Sequence, residues 1–97
     1  MIAVLTHHWA KKDLYRQARK LLDRNGLAQS RSPGFISRTT FTSRTDPTMI
    51  SSIVIWENDE IYSQWKDSPA RETAMRGAAD LWEKPPLSER CDIVQSL

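Results

Sequence analysis

Apolar residues follow different periods along the chain, and these periods predict a series of strands and helices. Residues 2–9 mix β-branched, apolar and aromatic side chains without a helical period, which indicates a strand. An amphipathic helix follows, and Asn25-Gly26 supplies its end. Its apolar face consists of residues at i, i+4, i+7 and i+8, which are Leu14, Ala18, Leu21 and Leu22.

The middle of the chain predicts two strands joined by a turn. Residues 35–43 are rich in β-formers, and Asp46-Pro47 starts the turn that follows them. Residues 49–56 are nearly continuous in apolar and hydroxyl side chains, as expected for a central strand. The last strand is predicted at residues 90–95.

The second helical region is predicted in two parts. A short helix around Trp65 comes first, and Ser68-Pro69 then has the pattern of an N-cap followed by proline at the first helical position. We expect the second part to continue until Pro85-Pro86 ends it. Its apolar stripe is Ala74, Ala78, Leu81 and Trp82.

The predicted order is therefore β-α-β-β-α-β, an α+β fold of the ferredoxin-like type. In this arrangement helices cover one side of a four-stranded antiparallel sheet. The strands carry isoleucine, valine, phenylalanine and tryptophan, so the uncovered side is expected to be apolar enough to need a partner. A symmetric homodimer that packs sheet against sheet, a dimeric α/β barrel, would satisfy that need.

Composition narrows the class of protein. The 97 residues make one domain, 1–97, because the chain is too short for two independent cores. A balance of 14 basic against 12 acidic residues argues against a nucleic-acid partner. The single cysteine, Cys91, excludes an internal disulfide and fits a reducing compartment. Since no run suits a signal peptide or a membrane span, we expect a cytoplasmic protein with no membrane partner.

Familiar motifs for metals and phosphates do not occur in this sequence. No Cys/His cluster has metal-ligand spacing and no glycine-rich phosphate loop exists, so no metal site is predicted. His7-His8 is the only imidazole pair, and adjacent strand residues point to opposite faces, so the two cannot chelate together. One of them can face a cavity. Cys91 is expected to be a small buried hydrophobe.

Aromatic residues are the remaining candidates for chemistry. Tyr62 and Trp65 are three residues apart, so they share one helix face just after Trp56. Large aromatic side chains in a small domain serve mainly in packing. A partly buried tyrosine hydroxyl or indole N–H nevertheless needs a polar partner, and a ligand can be that partner. Both roles stay open for these residues.

The stretch from Ser51 to Arg76, with Pro33-Gly34-Phe35 before it, resembles the antibiotic-biosynthesis-monooxygenase (ABM) family. Within that family it is similar to the cofactor-independent anthrone monooxygenases, which form quinones. Their pocket is lined by an asparagine, a tryptophan at the strand end, a tyrosine and an arginine. The matching positions in this sequence are Ser52, Trp56, Tyr62 and Arg76. Serine in place of the asparagine is the one departure among the four.

The resemblance implies a cofactor-free reaction of a small aromatic, anthrone- or quinol-like substrate with dioxygen. Such a substrate loses a proton and is itself the reductant, so neither flavin nor metal is needed. Trp56 would hold the ring, while Tyr62 and Arg76 would stabilise developing negative charge. An ion pair between Arg76 and Glu72 is the competing interpretation of that arginine.

The haem-degrading branch of the same family supplies further expected substrate-binding residues. Trp65 matches its helical tryptophan, while Met75 stands at its histidine position and His7 at its asparagine position. Without that histidine, haem degradation of that type is not expected. Other possibilities are a divergent isomerase or haem-binding protein of the ABM type, or a non-catalytic dimeric ligand-binding or stress-associated domain, because one fold hosts many functions.

Overall fold

A computed structural model describes all residues, 1–97, and contains one four-stranded antiparallel sheet with helices on one side. The strands lie in the spatial order β2-β3-β1-β4, so the two central strands are the first and third in the chain. This is the ferredoxin-like α+β fold that the order of elements predicts. The strands are β1 Ile2–Ala10, β2 Phe35–Thr42, β3 Met49–Trp56 and β4 Trp82–Asp92.

The last strand is longer than its sequence predicts, and the expected limits of 90–95 are wrong. β4 begins at Trp82 and runs through Pro85-Pro86, which was expected to end a helix. Two prolines fit there because β4 pairs only with β1, so one of its edges needs no backbone N–H donors. The pairing with β1 also shifts register between His7 and Ala10.

Helix α1, Tyr15–Ser30, continues past Asn25-Gly26, so the predicted stop there is also wrong. Asn25 is buried inside the helix rather than exposed at its end. A β-carbon on Gly26 would lie only 2.8 Å from Cδ of Arg38, so the glycine makes room for that side chain. Its presence reflects close packing between α1 and β2 rather than a helix end.

Two short helices, α2 at Asp59–Lys66 and α3 at Pro69–Ala74, follow β3. Oδ1 of Asn58 accepts a hydrogen bond of 2.8 Å from the backbone N–H of Ile61 and begins α2. The Ser68 hydroxyl accepts from the backbone N–H of Arg71 at 3.2 Å, as the predicted cap requires. The long stripe from Ala74 to Trp82 is not one helix, because α3 ends at Ala74 and Gly77 has a φ of 86°.

The helix-covered face of the sheet holds two apolar clusters. The aromatic cluster lies at one end and consists of Ile2, Val4, Val54, Trp56 and Trp65. The aliphatic cluster lies at the other end and consists of Ala10, Ala18, Leu21, Leu22 and Ile50. Among the helices, none has both the length and the hydropathy of a membrane-spanning segment.

Candidate active site

A cavity of about 390 Å³ lies between the sheet and all the helices, in the space between the two clusters. Its volume is within the range of small-molecule sites, about 300–1,000 Å³. All four strands and all three helices contribute side chains to its wall. The two other main depressions are each bordered by only two elements, α1 with α3 and α1 with β2.

The sheet presents hydroxyl groups at the level of this cavity. Thr6 of β1 pairs with Ser52 of β3 on one side and with Ser88 of β4 on the other, and Ser52 pairs in turn with Thr40 of β2. These four residues form a hydroxyl row across the sheet, and the first three line the cavity. The Thr6 and Ser88 hydroxyl oxygens are 3.1 Å apart. The row interrupts the apolar face because neighbouring inward positions, such as Val4 and Val54, are buried hydrophobes.

His8 is the imidazole that faces the cavity. Only 9 % of its surface is exposed, and its ring packs on Trp82 with centroids 4.5 Å apart. Burial, and then the positive charges of Arg38 and Arg71, lower the pKa of His8 from 6.5 to about 4. The imidazole is therefore neutral at pH 7, in the form that can accept a proton.

Positive charge gathers around the same space without any carboxylate. Arg38, Lys66 and Arg71 are among the 18 residues that line the cavity, and none of the 18 is aspartate or glutamate. Arg38 has neutral partners, since its Nη1 donates to Oε1 of Gln29 at 2.7 Å and its Nη2 to the Leu22 carbonyl at 3.5 Å. Burial lowers the pKa of Arg38 while the more distant Asp23 opposes that effect. An arginine remains protonated despite such a shift.

Helix α1 brings two amides to the cavity wall. Asn25 and Gln29 are one turn apart and are 7 % and 5 % exposed. Gln29 is held by Arg38, but Oδ1 of Asn25 has no hydrogen-bond partner. A buried polar atom without a partner is costly, so a ligand that donates to Asn25 would gain from doing so.

Four of the residues expected at the site from the sequence line this cavity. Ser52 lies in its floor, and Tyr62, Trp65 and Met75 lie in the wall formed by the helices and the turn after α3. Tyr62 is held in place from the outside by Arg90, whose guanidinium lies 4.6 Å from the ring centroid. Arg90 in turn donates to Oδ1 of Asp59 at 2.7 Å, which fixes β4 to α2.

Trp56 supports the cavity wall from behind and does not line it. Its side chain is 0 % exposed, and its ring stacks on Trp65 with centroids 6.1 Å apart. Tyr62 is also adjacent, at 5.9 Å between ring centroids, and Phe35 meets Trp56 edge-on at 5.7 Å. Trp56 therefore sets the position of the two aromatic rings that do reach the cavity.

His7 and Arg76 lie away from the cavity, contrary to what the resemblance implies. His7 is on the opposite face of the sheet, where Nδ1 lies 2.6 Å from Oγ of Ser51. Arg76 is exposed beyond the end of α3, beside a more open depression that Arg24 also lines. The backbone carbonyl of Arg76 accepts from Nη2 of Arg24 at 3.2 Å, and no ion pair joins Arg76 to Glu72.

Sequence reasoning missed Arg38, Arg71, Asn25 and Gln29, and of the His7-His8 pair it assigned His7 rather than His8 to the site. Strand alternation contained the signal for His8, because it shares a face with the buried positions Ile2, Val4 and Ala10. Arg38 lies in a polar strand with no feature of its own, and only the pairing of β2 with β3 directs it toward the cavity. Because Asn25-Gly26 was interpreted as the end of the helix, Asn25 was not expected on the inner face of α1.

Comparison with solved structures places this fold among known proteins, although no protein-family model and no curated protein matches the sequence. A Nitrosomonas europaea protein provisionally assigned as an antibiotic biosynthesis monooxygenase matches with a TM-score of 0.88 at 17 % identity, over 98 % of this chain and 100 % of that one. A variant of SnoaB, a cofactor-independent oxygenase from Streptomyces nogalater, matches with a TM-score of 0.87 at 14 % identity, over 99 % and 95 %.

Rv0793 from Mycobacterium tuberculosis is similarly close in structure, with a TM-score of 0.88 at 16 % identity over 98 % of this chain and 96 % of that one. At such low identity these matches establish the fold and not a substrate or a reaction. They confirm the architecture that the Ser51 to Arg76 stretch predicts. The chain has the ferredoxin-like α+β fold of the ABM proteins, with a polar, positively charged cavity between its sheet and its helices.

Proposed function

We propose that this protein is a cofactor-independent monooxygenase of the ABM type that oxidises a small aromatic, anthrone- or quinol-like substrate with dioxygen. The observation that carries the proposal is the cavity, in which a neutral imidazole, two arginines and three hydroxyl residues adjoin Tyr62 and Trp65. The likeness in fold to SnoaB supports the reaction class. The catalytic groups need not occupy the same positions as in the anthrone monooxygenases, because the substrate itself supplies the electrons.

The reaction begins with loss of a proton from the substrate. His8 is the neutral base of the cavity, and its imidazole takes the proton from the ring CH₂ or from a phenol oxygen. Arg38 and Arg71 stabilise the resulting enolate. The negative charge of the enolate also raises the proton affinity of His8, which offsets the effect of the two arginines on the free protein.

Dioxygen then completes the oxidation. The enolate gives one electron to O₂, and the two radicals combine to form a C–O bond and a peroxide anion, which takes the proton from His8 to become a hydroperoxide. Loss of water then breaks the O–O bond and the remaining C–H bond of that carbon and forms the new carbonyl. The sum is one substrate CH₂ and one O₂ converted to one C=O and one H₂O. The Ser52 and Tyr62 hydroxyls are suited to hold the oxygen atoms during these steps.

Oxygen uptake with dithranol, a hydroxylated anthrone, tests the proposal. We expect one O₂ consumed per quinone formed, at a rate well above autoxidation in buffer. His8→Gln should lower the catalysed rate by about 10²–10⁴-fold, the usual contribution of a general base. Arg44→Gln is the control, because Arg44 is exposed in the β2–β3 turn. A catalysed rate that equals autoxidation, or that His8→Gln leaves unchanged, contradicts the proposal.

The uncovered face of the sheet supports a homodimer as the working unit. Leu5, Trp9 and Ile53 alternate with the cavity residues and so point away from the helices, where they remain partly exposed. Phe41 and Leu87 on the same face are 41 % and 63 % exposed. Sheet-to-sheet packing of two copies would bury this surface.

Light scattering during gel filtration checks the homodimer. The wild-type protein should elute as a dimer at micromolar concentration, and Ile53→Lys should shift it to monomer. Leu27→Lys, a change on the exposed side of α1, is the matched control and should remain dimeric. A wild-type monomer would remove the dimer from the proposal without affecting the cavity.

A non-catalytic ligand-binding domain is the second candidate, and the burial of Trp56 favours it. The residue that the resemblance assigns to the substrate is 0 % exposed and acts in packing. Such a domain would bind aromatic ligands in the cavity and consume no oxygen. Titration with haemin, followed at the Soret band, separately tests for a divergent haem-binding protein, since His8 is neutral and faces the cavity.

A further inference from the structure

We infer that the substrate of the central cavity carries a carboxylate on its aromatic framework, and that Arg38 binds this carboxylate with Arg71 and Asn25 nearby. The inference rests on the proposed function in one respect, because it treats the cavity as a substrate site. It adds the chemical class of the substrate, which neither the fold nor its structural neighbours provide.

The cavity wall has an excess of positive charge. The cavity wall includes Arg38, Lys66 and Arg71 but no acidic residue. The ion pairs of the protein, Arg19 with Asp23 and Arg90 with Asp59, lie elsewhere. Lys66 is exposed to solvent, whereas Arg38 and Arg71 are partly buried. Partly buried cations without counter-ions are unfavourable in the free protein. A permanent anion on the ligand would supply the missing charge.

Arg38 has hydrogen-bond donors that the protein itself leaves unused. A guanidinium has five N–H donors in a planar fork that matches a carboxylate. In the free protein two of its nitrogens donate, to Gln29 and to the Leu22 carbonyl, and the second contact is long at 3.5 Å. Donors therefore remain for a ligand, and the bond to Gln29 fixes the plane of the fork.

Helix α1 leaves room for the Arg38 side chain at Gly26. Gly26 lies in the middle of α1, where alanine would be about 1 kcal/mol more favourable for the helix. A β-carbon there would lie 2.8 Å from both Cδ and Nε of Arg38. Glycine at this position lowers the stability of the helix, but it leaves the space that the Arg38 side chain occupies beside the cavity.

Asn25 adds a requirement for a donor on the same ligand. Asn25 is one of the residues of the cavity wall, and its Oδ1 is buried without a hydrogen-bond partner. The hydroxyl of a phenol can donate to it. A hydroxylated aromatic acid therefore satisfies both the unpaired cations and the unpaired amide oxygen.

Calorimetric titration under nitrogen tests the inference with two matched probes, 6-hydroxy-2-naphthoate and its neutral analogue 6-hydroxy-2-naphthamide. The full-length wild-type protein should bind the acid at least about 10-fold more tightly than the amide, as expected for a charge-assisted hydrogen bond. Arg38→Gln should bring this ratio close to one. Arg44→Gln removes the same charge from an exposed turn and should keep the ratio.

Gly26→Ala is the second variant and keeps every charge of the protein. It favours helix formation but displaces the Arg38 side chain, so the protein should fold and the acid-to-amide ratio should fall. A ratio near one in the wild type overturns the inference, as does a ratio that both Arg38→Gln and Gly26→Ala leave intact. Weak binding of both probes by the wild type also overturns it.

The two proposals can fail separately. The titration involves no turnover, whereas dithranol uptake uses a substrate without a carboxylate. Preferential binding of the acid with no oxygen uptake on any anthrone would retain the carboxylate site and reject the monooxygenase. Oxygen uptake on dithranol with equal binding of acid and amide would do the reverse.

Discussion

The aromatic cluster around Trp56 and the cavity around His8 occupy the same face of the same sheet, yet their chemistry is opposite. In the cluster every inward position is apolar, and three aromatic rings pack against Trp56. In the cavity the sheet adds hydroxyl, imidazole and guanidinium groups beside the valines Val4 and Val54 that the two regions share. Along β1, Val4 belongs to the aromatic cluster, and Thr6, the next residue that points inward, belongs to the hydroxyl row.

This difference shows how a small domain can keep a polar site inside a core. Burial of apolar surface at both ends of the sheet stabilises the fold, so the middle need not contribute. Three cations of the cavity wall have no acidic residue among the lining, and Oδ1 of Asn25 has no hydrogen-bond partner. The buried indole nitrogen of Trp56 is the corresponding unpaired atom of the cluster. Substitutions in the cluster should therefore affect stability, and those in the cavity should mainly affect ligands.

The largest effect is expected from Trp56→Ala, which empties the centre of the aromatic cluster. Loss of a fully buried tryptophan costs about 3–5 kcal/mol of unfolding free energy. Urea unfolding followed by circular dichroism measures it. Leu27→Ala is the control, because Leu27 is 61 % exposed on α1 and should change stability by less than about 0.5 kcal/mol. Similar midpoints for Trp56→Ala and wild type would contradict the packing role of Trp56.

The pH dependence of stability should identify the buried imidazole in the cavity. The unfolded chain binds a proton on His8 below pH 6.5, whereas the folded protein does so only near its lowered pKa of about 4. The unfolding free energy therefore falls as the pH drops through this window, by roughly 3 kcal/mol at about 1.4 kcal/mol per unit.

Urea midpoints at pH 4.5, 5.5 and 7.5 provide the measurement. His8→Gln should remove the His8 part of the decline, so the difference between variant and wild type changes with pH. His7→Gln leaves the cavity imidazole in place and should retain the decline. Parallel profiles for wild type and His8→Gln would contradict the assignment of a buried, neutral His8.

A smaller effect is expected from Asn58→Ala at the start of α2, the helix whose Tyr62 and Trp65 contact both regions. The change removes the 2.8 Å hydrogen bond to the N–H of Ile61 and should cost about 1 kcal/mol. Gln64→Ala, on the exposed side of the same helix, should cost less than about 0.5 kcal/mol. Equal losses in the two variants would mean that the cap does not hold this helix.

The smallest effect is expected from Arg71→Gln in the cavity wall. No side-chain hydrogen bond or ion pair involves Arg71, so the unfolding free energy should stay within about 0.5 kcal/mol of the wild type. The same variant should weaken binding of 6-hydroxy-2-naphthoate. A loss of stability comparable to that of Trp56→Ala would place Arg71 in the structural core instead.

The sequence predicted the cluster better than the cavity, for a physical reason. Helical and strand periods mark apolar faces directly, so the order of elements, the cap at Ser68 and the turn at Asp46-Pro47 were accessible from local pattern. The cavity depends on register between strands that are far apart in sequence. Ser52 pairs with Thr6, which is 46 residues away in the sequence. The residues next to either one do not indicate the hydroxyl row.

Arg76 and Arg38 illustrate the same limit. Arg76 was matched to the family pocket by its spacing from Tyr62, but α3 ends at Ala74 and the chain then turns at Gly77. The count therefore leads to an exposed arginine. Arg38 reaches the cavity through β2–β3 pairing and the gap that Gly26 leaves in α1. Both facts are tertiary, and neither spacing nor composition contains them.

The most direct test of the account is a crystal structure of the protein with bound 6-hydroxy-2-naphthoate. The account predicts that the rings lie in the central cavity beside Tyr62 and Trp65. It also predicts that the carboxylate is within hydrogen-bonding distance of the Arg38 guanidinium. Binding on the uncovered face of the sheet, or in the open depression beside Arg24 and Arg76, would contradict it.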